Sequence, residues 1–186
     1  NILSKQLSNK KAYLGSQNIT SLKNFDEYEI EILWLDSNPL QSLNWIQPLQ
    51  LIELNIDYCQ IQSLEPLNQM TSLQILSADS NLISDISFLL SLTNLKEVDL
   101  SFNQIERLDG LQNLNNLIQL DMDKNKIHDF GEVQKINQNI KKLCLKSDLE
   151  GDNNPVCGME NYVEKVLEFF VNLQFFDFDV DWKEVK

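Results

Sequence analysis

A single histidine, three cysteines and a short run of alternating aspartates are the residues of this chain with types suited to chemistry. His128 stands without a Gly-x-Ser-x-Gly or other activated nucleophile, so it lacks the partners a general base needs. Cys59, Cys144 and Cys157 fall at unrelated spacings with no Cys-x-x-Cys, which removes the usual zinc and redox motifs and fits a reducing compartment. Asp177-Phe178-Asp179-Val180-Asp181 opens like a calcium loop, but Trp182 stands where the loop needs glycine, and the closing bidentate glutamate is missing. Phe176, Phe178, Val180 and Trp182 alternate with those acids and predict an edge strand that seals one end of the molecule. Five glycines, none in a Gly-x-x-x-x-Gly-Lys, leave no phosphate cradle. The chain therefore reads as a non-enzyme, with no catalytic residue, no cofactor and no metal expected.

What remains is recognition, and composition narrows it. The 186 residues are 42% apolar and 23% charged, as in a single soluble domain. Fifteen basic against 28 acidic residues give a formal charge of -13, which opposes direct binding to nucleic acid and favours a basic protein partner. Apolar runs fall far short of the roughly 20 residues that cross a bilayer. No basic segment leads into an apolar one at the start. The expected place is the cytoplasm, the cilium or axoneme included, ahead of the nucleus.

A short internal period organises the chain. The pattern Leu-x-Leu-x-x-Asn-x-Ile-x-x-Leu recurs with its polar anchor at Gln17, Asn38, Cys59, Asn81, Asn103 and Asn125, spaced by 21 or 22 residues. The clearest copy is Val98-x-Leu100-x-x-Asn103-x-Ile105-x-x-Leu108, and a seventh copy starts at Leu143 and Leu145 before the pattern is lost. Alternation such as Leu33-Trp34-Leu35 predicts a short strand with its leucines inward and the residues between them outward. A buried Asn then turns the chain, its amide serving backbone groups that no strand reaches. About ten residues are left for the return, enough only for 3₁₀ or single helical turns.

This pattern resembles the leucine-rich repeats of the short, 22-residue subclass, over roughly residues 12 to 146. The resemblance implies an α/β fold: a right-handed solenoid of about seven repeats with a parallel sheet on its concave side, capped at both ends. Residues 1–11 would form the front cap, within a short amphipathic cover that takes in Ile2, Leu3 and Leu7, and 147–186 the rear cap. At the rear, Asn154-Pro155, a helix across 160–170 and Leu173-x-x-Phe176-Asp177 are similar to the closing segment typified by the leucine-rich regulator of protein phosphatase 1. Val163 stands where that pattern has Arg. Residues 147–154 look inserted.

In such an architecture recognition lies in the outward strand positions. Counting back from each anchor n, position n-4 reads Tyr13, Trp34, Asn55, Ser77, Asp99, Asp121 and Cys144, and n-2 reads Gly15, Asp36, Asp57, Asp79, Ser101, Asp123 and Lys146. Glu53 and Glu97 stand at n-6, and Tyr58 and Phe102 at n-1. Tyr13, Trp34 and Tyr58 thus form an aromatic patch, and Asp36, Glu53, Asp57, Asp79, Glu97, Asp99, Asp121 and Asp123 an acidic stripe. Like charges on neighbouring strands repel, so the stripe reads as a feature kept for use rather than for stability. The expected partner element is a basic, partly apolar helix or loop held within a larger complex. Met122-x-x-Asn125-x-Ile127 with Gly131-Glu132-Val133 is similar to the leucine-rich light chain of outer-arm axonemal dynein, which implies an adaptor on a motor domain. The alternatives are a regulatory subunit of a protein phosphatase and a ribonucleoprotein component that holds an RNA-binding partner.

Overall fold

A computed structural model describes residues 7–22, 28–46, 50–148 and 153–177, with Leu7 described in its backbone only. The outward–inward alternation of the sequence becomes nine short strands: β1 (Leu7–Ser8), β2 (Lys11–Tyr13), β3 (Ile32–Trp34), β4 (Glu53–Asn55), β5 (Ile75–Ser77), β6 (Glu97–Asp99), β7 (Gln119–Asp121), β8 (Lys142–Cys144) and β9 (Phe175–Phe176). They form one sheet in chain order. β1 pairs antiparallel with β2, and every later pair is parallel. The register is constant: the central residues Ala12, Leu33, Leu54, Leu76, Val98, Leu120, Leu143 and Phe176 face one another in a single row. All eight are buried, as are the n-3 residues from Leu14 to Leu145.

Each strand is short because the chain must turn at the anchor and return. The return uses 3₁₀ helices at Glu65–Leu67 and Ser87–Ser91 and one α-helical turn, α1 (Phe130–Val133), as the residue count predicts. Leu64, Leu67, Met70 and Leu73, with their equivalents in neighbouring turns, bury the inner side of these segments against the strand leucines. The result is a solenoid with one continuous core.

The buried anchors hold the turns. Asn81 Nδ2 donates to the carbonyls of Ile56, Ala78 and Asp79, while its Oδ1 accepts from the amides of Cys59 and Ile61 at 3.2 and 2.8 Å. Asn38, Asn103 and Asn125 make the same type of bonds, each linking its own turn to the preceding one. Cys59 is the weaker substitute: its thiol reaches the carbonyls of Leu35 and Asp57 at 3.2 and 3.3 Å. Burial pushes that thiol up to about 11, so it stays protonated as a donor.

The seventh anchor is present, displaced. Asn154 is 1% exposed; its Nδ2 donates to Met122 and Leu145, and its Oδ1 accepts from Ile127 N–H. The residues that look inserted after Ser147 postpone the anchor without removing it. After Asn154 come a 3₁₀ helix (Pro155–Gly158) and α2 (Tyr162–Phe169), which buries Tyr162 and Val166. Asp177 then accepts the amides of Leu145 and Lys146 on one carboxylate oxygen, at 2.7 and 3.0 Å, and the Tyr162 hydroxyl on the other. In the preceding turns the amide equivalent to that of Leu145 donates to the next strand, as Leu100 N–H does to the Asp121 carbonyl. Phe176 lies in β9, whereas Phe178, Val180 and Trp182 of the expected edge strand lie outside the described residues, as do Ile2 and Leu3.

Replacing Asn103 by Ala orphans Ile83 N–H and takes one of two donors from the carbonyls of Ala78, Leu100 and Ser101, which keep Asn81, Asn125 and Ser80 N–H; it is expected to cost about 2–4 kcal/mol in urea denaturation. Cys59→Ala removes only thiol bonds and is expected to cost less, about 1 kcal/mol; equal losses would show that the anchors act by packing alone.

Candidate partner-binding face

The outward columns emerge together. In the register Tyr13↔Trp34↔Asn55↔Ser77↔Asp99↔Asp121↔Cys144, the n-4 residues stand side by side on the face opposite the core. Tyr13 is 47% exposed, Trp34 39%, Tyr58 62% and Phe102 39%, so the aromatic positions are open to a partner. The Tyr13 and Trp34 rings meet edge to face, centroids 5.0 Å apart and planes at 84°. Trp34 Nε1 donates to Glu53 Oε1 at 2.6 Å, which fixes the indole across a third strand.

Backbone geometry singles out position n-1. Its amide donates to the next turn's n-2 carbonyl, as in Tyr58 N–H to Asp79 and Phe102 N–H to Asp123. That bend puts Ser16, Ser37, Tyr58, Ser80, Phe102 and Lys124 at φ between 50° and 57°, the left-handed region. Gly or Asn suits that region best, and a bulky residue there costs on the order of 1 kcal/mol.

The acidic stripe has a structure that its sequence concealed. Asp57 accepts from Ser77 Oγ at 2.8 Å, from Asp79 N–H at 2.8 Å and from Asn55 Nδ2 at 2.9 Å. Asp79 accepts from the hydroxyls of Ser80 and Ser101, and Asp99 from the Ser101 hydroxyl and amide. Asp121 accepts from Asp123 N–H at 3.2 Å. The expectation that these aspartates bring only repulsion to the fold is thereby corrected: interleaved serines and turn amides bind the carboxylates and tie adjacent turns together. Asp123 departs furthest from the expected open position, being 5% exposed and turned to the Ser147 hydroxyl.

Burial also opposes the charged form. It lifts the carboxyls of Asp57, Asp79 and Asp123 above the ordinary range. Asp121 is pushed up to about 7, by burial first and then by the charge of Asp99. Asp36 and Glu97 make no side-chain hydrogen bond among the described residues, and Glu53 accepts only the Trp34 indole N–H there. Ser77, Ser101 and Gly15 matter to this face, and no residue-type signal marked them; only strand register brings each beside its aspartate. At the far end Gln119, Asp121, Lys142, Cys144 and Phe175 line a cavity of about 220 Å³. His128 is exposed, beside the Asn125 turn. Among the described residues no group of three or more His, Cys, Asp or Glu is placed to hold a metal ion. No helix among them is long and apolar enough to cross a membrane.

The family model for Leucine Rich repeats (2 copies) matches residues 93–137, the stretch holding β6, β7 and the Asn103 and Asn125 anchors. The fold is that of a leucine-rich-repeat solenoid. An internalin (inlF) of Listeria monocytogenes superposes with a TM-score of 0.74 over 90% of this chain, at 22% identity. Internalin C2 (inlC2) of the same organism does so with a TM-score of 0.62 over 79% of it, at 31% identity. The chain spans 46% and 60% of the lengths of those two. No curated protein matches its sequence.

A folded carboxyl that holds its proton more tightly than the unfolded one stabilises the solenoid at low pH. For Asp121 that stability is lost as pH rises from the ordinary carboxylate range, about 4, through about 7. Asp121→Asn is expected to flatten this part of the stability–pH curve and to be more stable than wild type at pH 8 by about 1–3 kcal/mol. Parallel curves for the two chains from pH 4 to 8 would place Asp121 in water.

Proposed function

We propose that this chain is a non-catalytic adaptor that holds a basic, partly apolar element of a partner protein along the exposed face of its sheet. Stacked repeats present side chains from many turns on one extended surface, the property for which repeat solenoids serve as interaction scaffolds. The observation that carries the reading is Tyr58. It occupies a left-handed turn position at φ 55° while 62% exposed, so the fold loses stability to present an aromatic ring to solvent. Phe102 repeats the arrangement two turns on, at φ 50°. Exposed aromatics supply affinity at interfaces. The carboxylates of Asp36, Glu53 and Glu97 on the same face steer and orient a cationic partner.

An adaptor of an axonemal dynein, a phosphatase regulator and a ribonucleoprotein component remain the candidate settings. Recovery with a dynein motor domain, with phosphatase activity or with small nuclear RNA separates them.

Tyr58→Asn relieves the backbone and removes the ring. It is expected to match or exceed wild-type stability by up to about 1 kcal/mol and to lose most capture of the partner that the immobilised wild-type chain retains. An Asp36→Lys/Glu97→Lys variant should lose the same partner, and wild-type capture should fall as salt rises. Equal recovery by all three proteins would move the binding site off this face.

A further inference from the structure

Four outward positions on β2 and β3 and the residues just after them form a square. Tyr13 pairs with Trp34 across the first rung. Two residues further along each strand, on the same face, Gly15 lies beside Asp36. The rings of Tyr13 and Trp34 stand at 84° to each other, two walls of a corner, and the Glu53 bond to the indole nitrogen holds one wall in place. The Asp36 carboxylate leans over Gly15: a Cβ added there would lie 2.5 Å from Oδ1 and 2.8 Å from Oδ2. The missing side chain at 15 is therefore the space that lets this carboxylate lie low beside the rings. Of the two cations just before Tyr13, Lys10 is taken up by Glu31 at 2.8 Å and Glu29 at 3.6 Å, and Lys11 stands exposed on the same face of β2 as Tyr13.

We infer that this corner is an arginine subsite, the place where one guanidinium of the bound partner element is read. The inference rests on the adaptor reading above and adds a register and a residue type to it. A guanidinium is planar and weakly hydrated, so it stacks on an aromatic face while its edge donates to a carboxylate. A lysine ammonium is a compact, strongly hydrated point charge and uses the walls less well. The corner provides both halves of that match: ring faces on two strands, and an Asp36 carboxylate with no side-chain donor among the described residues. Elsewhere on the face the aspartates Asp57, Asp79 and Asp99 already hold serine hydroxyls.

The test titrates the full chain, labelled with ¹⁵N at its tryptophan indoles, with hexa-arginine, hexa-lysine and hexa-citrulline peptides at fixed ionic strength, with the Trp34 resonance assigned from Trp34→Phe. Hexa-arginine is expected to shift the Trp34 indole resonance and to bind about fivefold or more tighter than hexa-lysine, while neutral hexa-citrulline leaves the resonance in place. Asp36→Asn should weaken hexa-arginine about fivefold, and Trp34→Ala about tenfold. Gly15→Ala leaves both rings and the carboxylate in the chain but displaces the latter, and is expected to match Asp36→Asn; it guards against a Trp34→Ala chain that misfolds. Asp85→Asn, off the sheet face, should change nothing. Equal affinity for hexa-arginine and hexa-lysine, or wild-type binding by Asp36→Asn and Gly15→Ala, overturns the subsite and leaves the adaptor reading standing. Absence of binding by any basic peptide overturns the subsite as well. If the Tyr58 and Asp36/Glu97 variants also retain the cellular partner, the adaptor reading fails with it.

Discussion

A buried asparagine amide that must bond to two turns at once is the constraint on which the rest of this molecule depends. Its nitrogen serves carbonyls of its own turn and of the preceding one, and its oxygen takes amides that no strand can reach. A turn that changed length on the return side without moving its anchor would leave those groups dry and unpaired, each at a cost of about 1–3 kcal/mol. The period of 21 or 22 residues follows from that requirement as much as from leucine packing. The rear of the chain obeys it too: six extra residues separate Ser147 from Asn154, yet Asn154 returns to the same set of bonds. At the last turn the role passes to a carboxylate, with Asp177, just after β9, accepting two amides of the preceding turn.

Constant register has a consequence for the exposed face. Once every strand is in step, residues 21 to 23 apart in the chain become neighbours in space, and columns of like side chains are unavoidable. For leucines this builds the core. For aspartates it builds a problem, which the chain handles by alternation: Ser77 stands beside Asp57, Ser101 beside Asp79 and Asp99, and Ser147 beside Asp123. Hydroxyl and amide donors then make the middle and rear of the stripe part of the scaffold. Towards the front Tyr13, Trp34, Asp36, Glu53 and Tyr58 share a few adjacent turns.

The same strictness explains why the aromatic residues are informative. Position n-1 must adopt a left-handed backbone so that its amide can reach the next turn, and serine fills it three times in six. Tyr58 and Phe102 bring rings to a place where packing does not ask for them. Trp34 differs, since its nitrogen is tied to Glu53 and its ring to Tyr13 before any partner arrives. Ordering the contact surface in the free protein reduces the entropy lost on binding.

The parallel sheet, the strand positions, the buried anchors and the helical segment after Asn154 could be read from the sequence, because each depends on a local period and on residue types that repetition makes unmistakable. Outward columns were legible for the same reason, as inward and outward alternate along any strand. Tertiary structure alone decided which outward residues are free. Whether Asp57 is a binding charge or a rung of the scaffold depends on Ser77, 20 residues away in the chain and 2.8 Å away in space. Gly15 becomes meaningful only when Asp36 leans over it. Asn154 became an anchor only when the chain looped back to Ile127 and Met122. A repeat records what every turn has in common, whereas the hydrogen bonds and burial that single out one turn from another arise between turns, at distances along the chain that no local pattern spans.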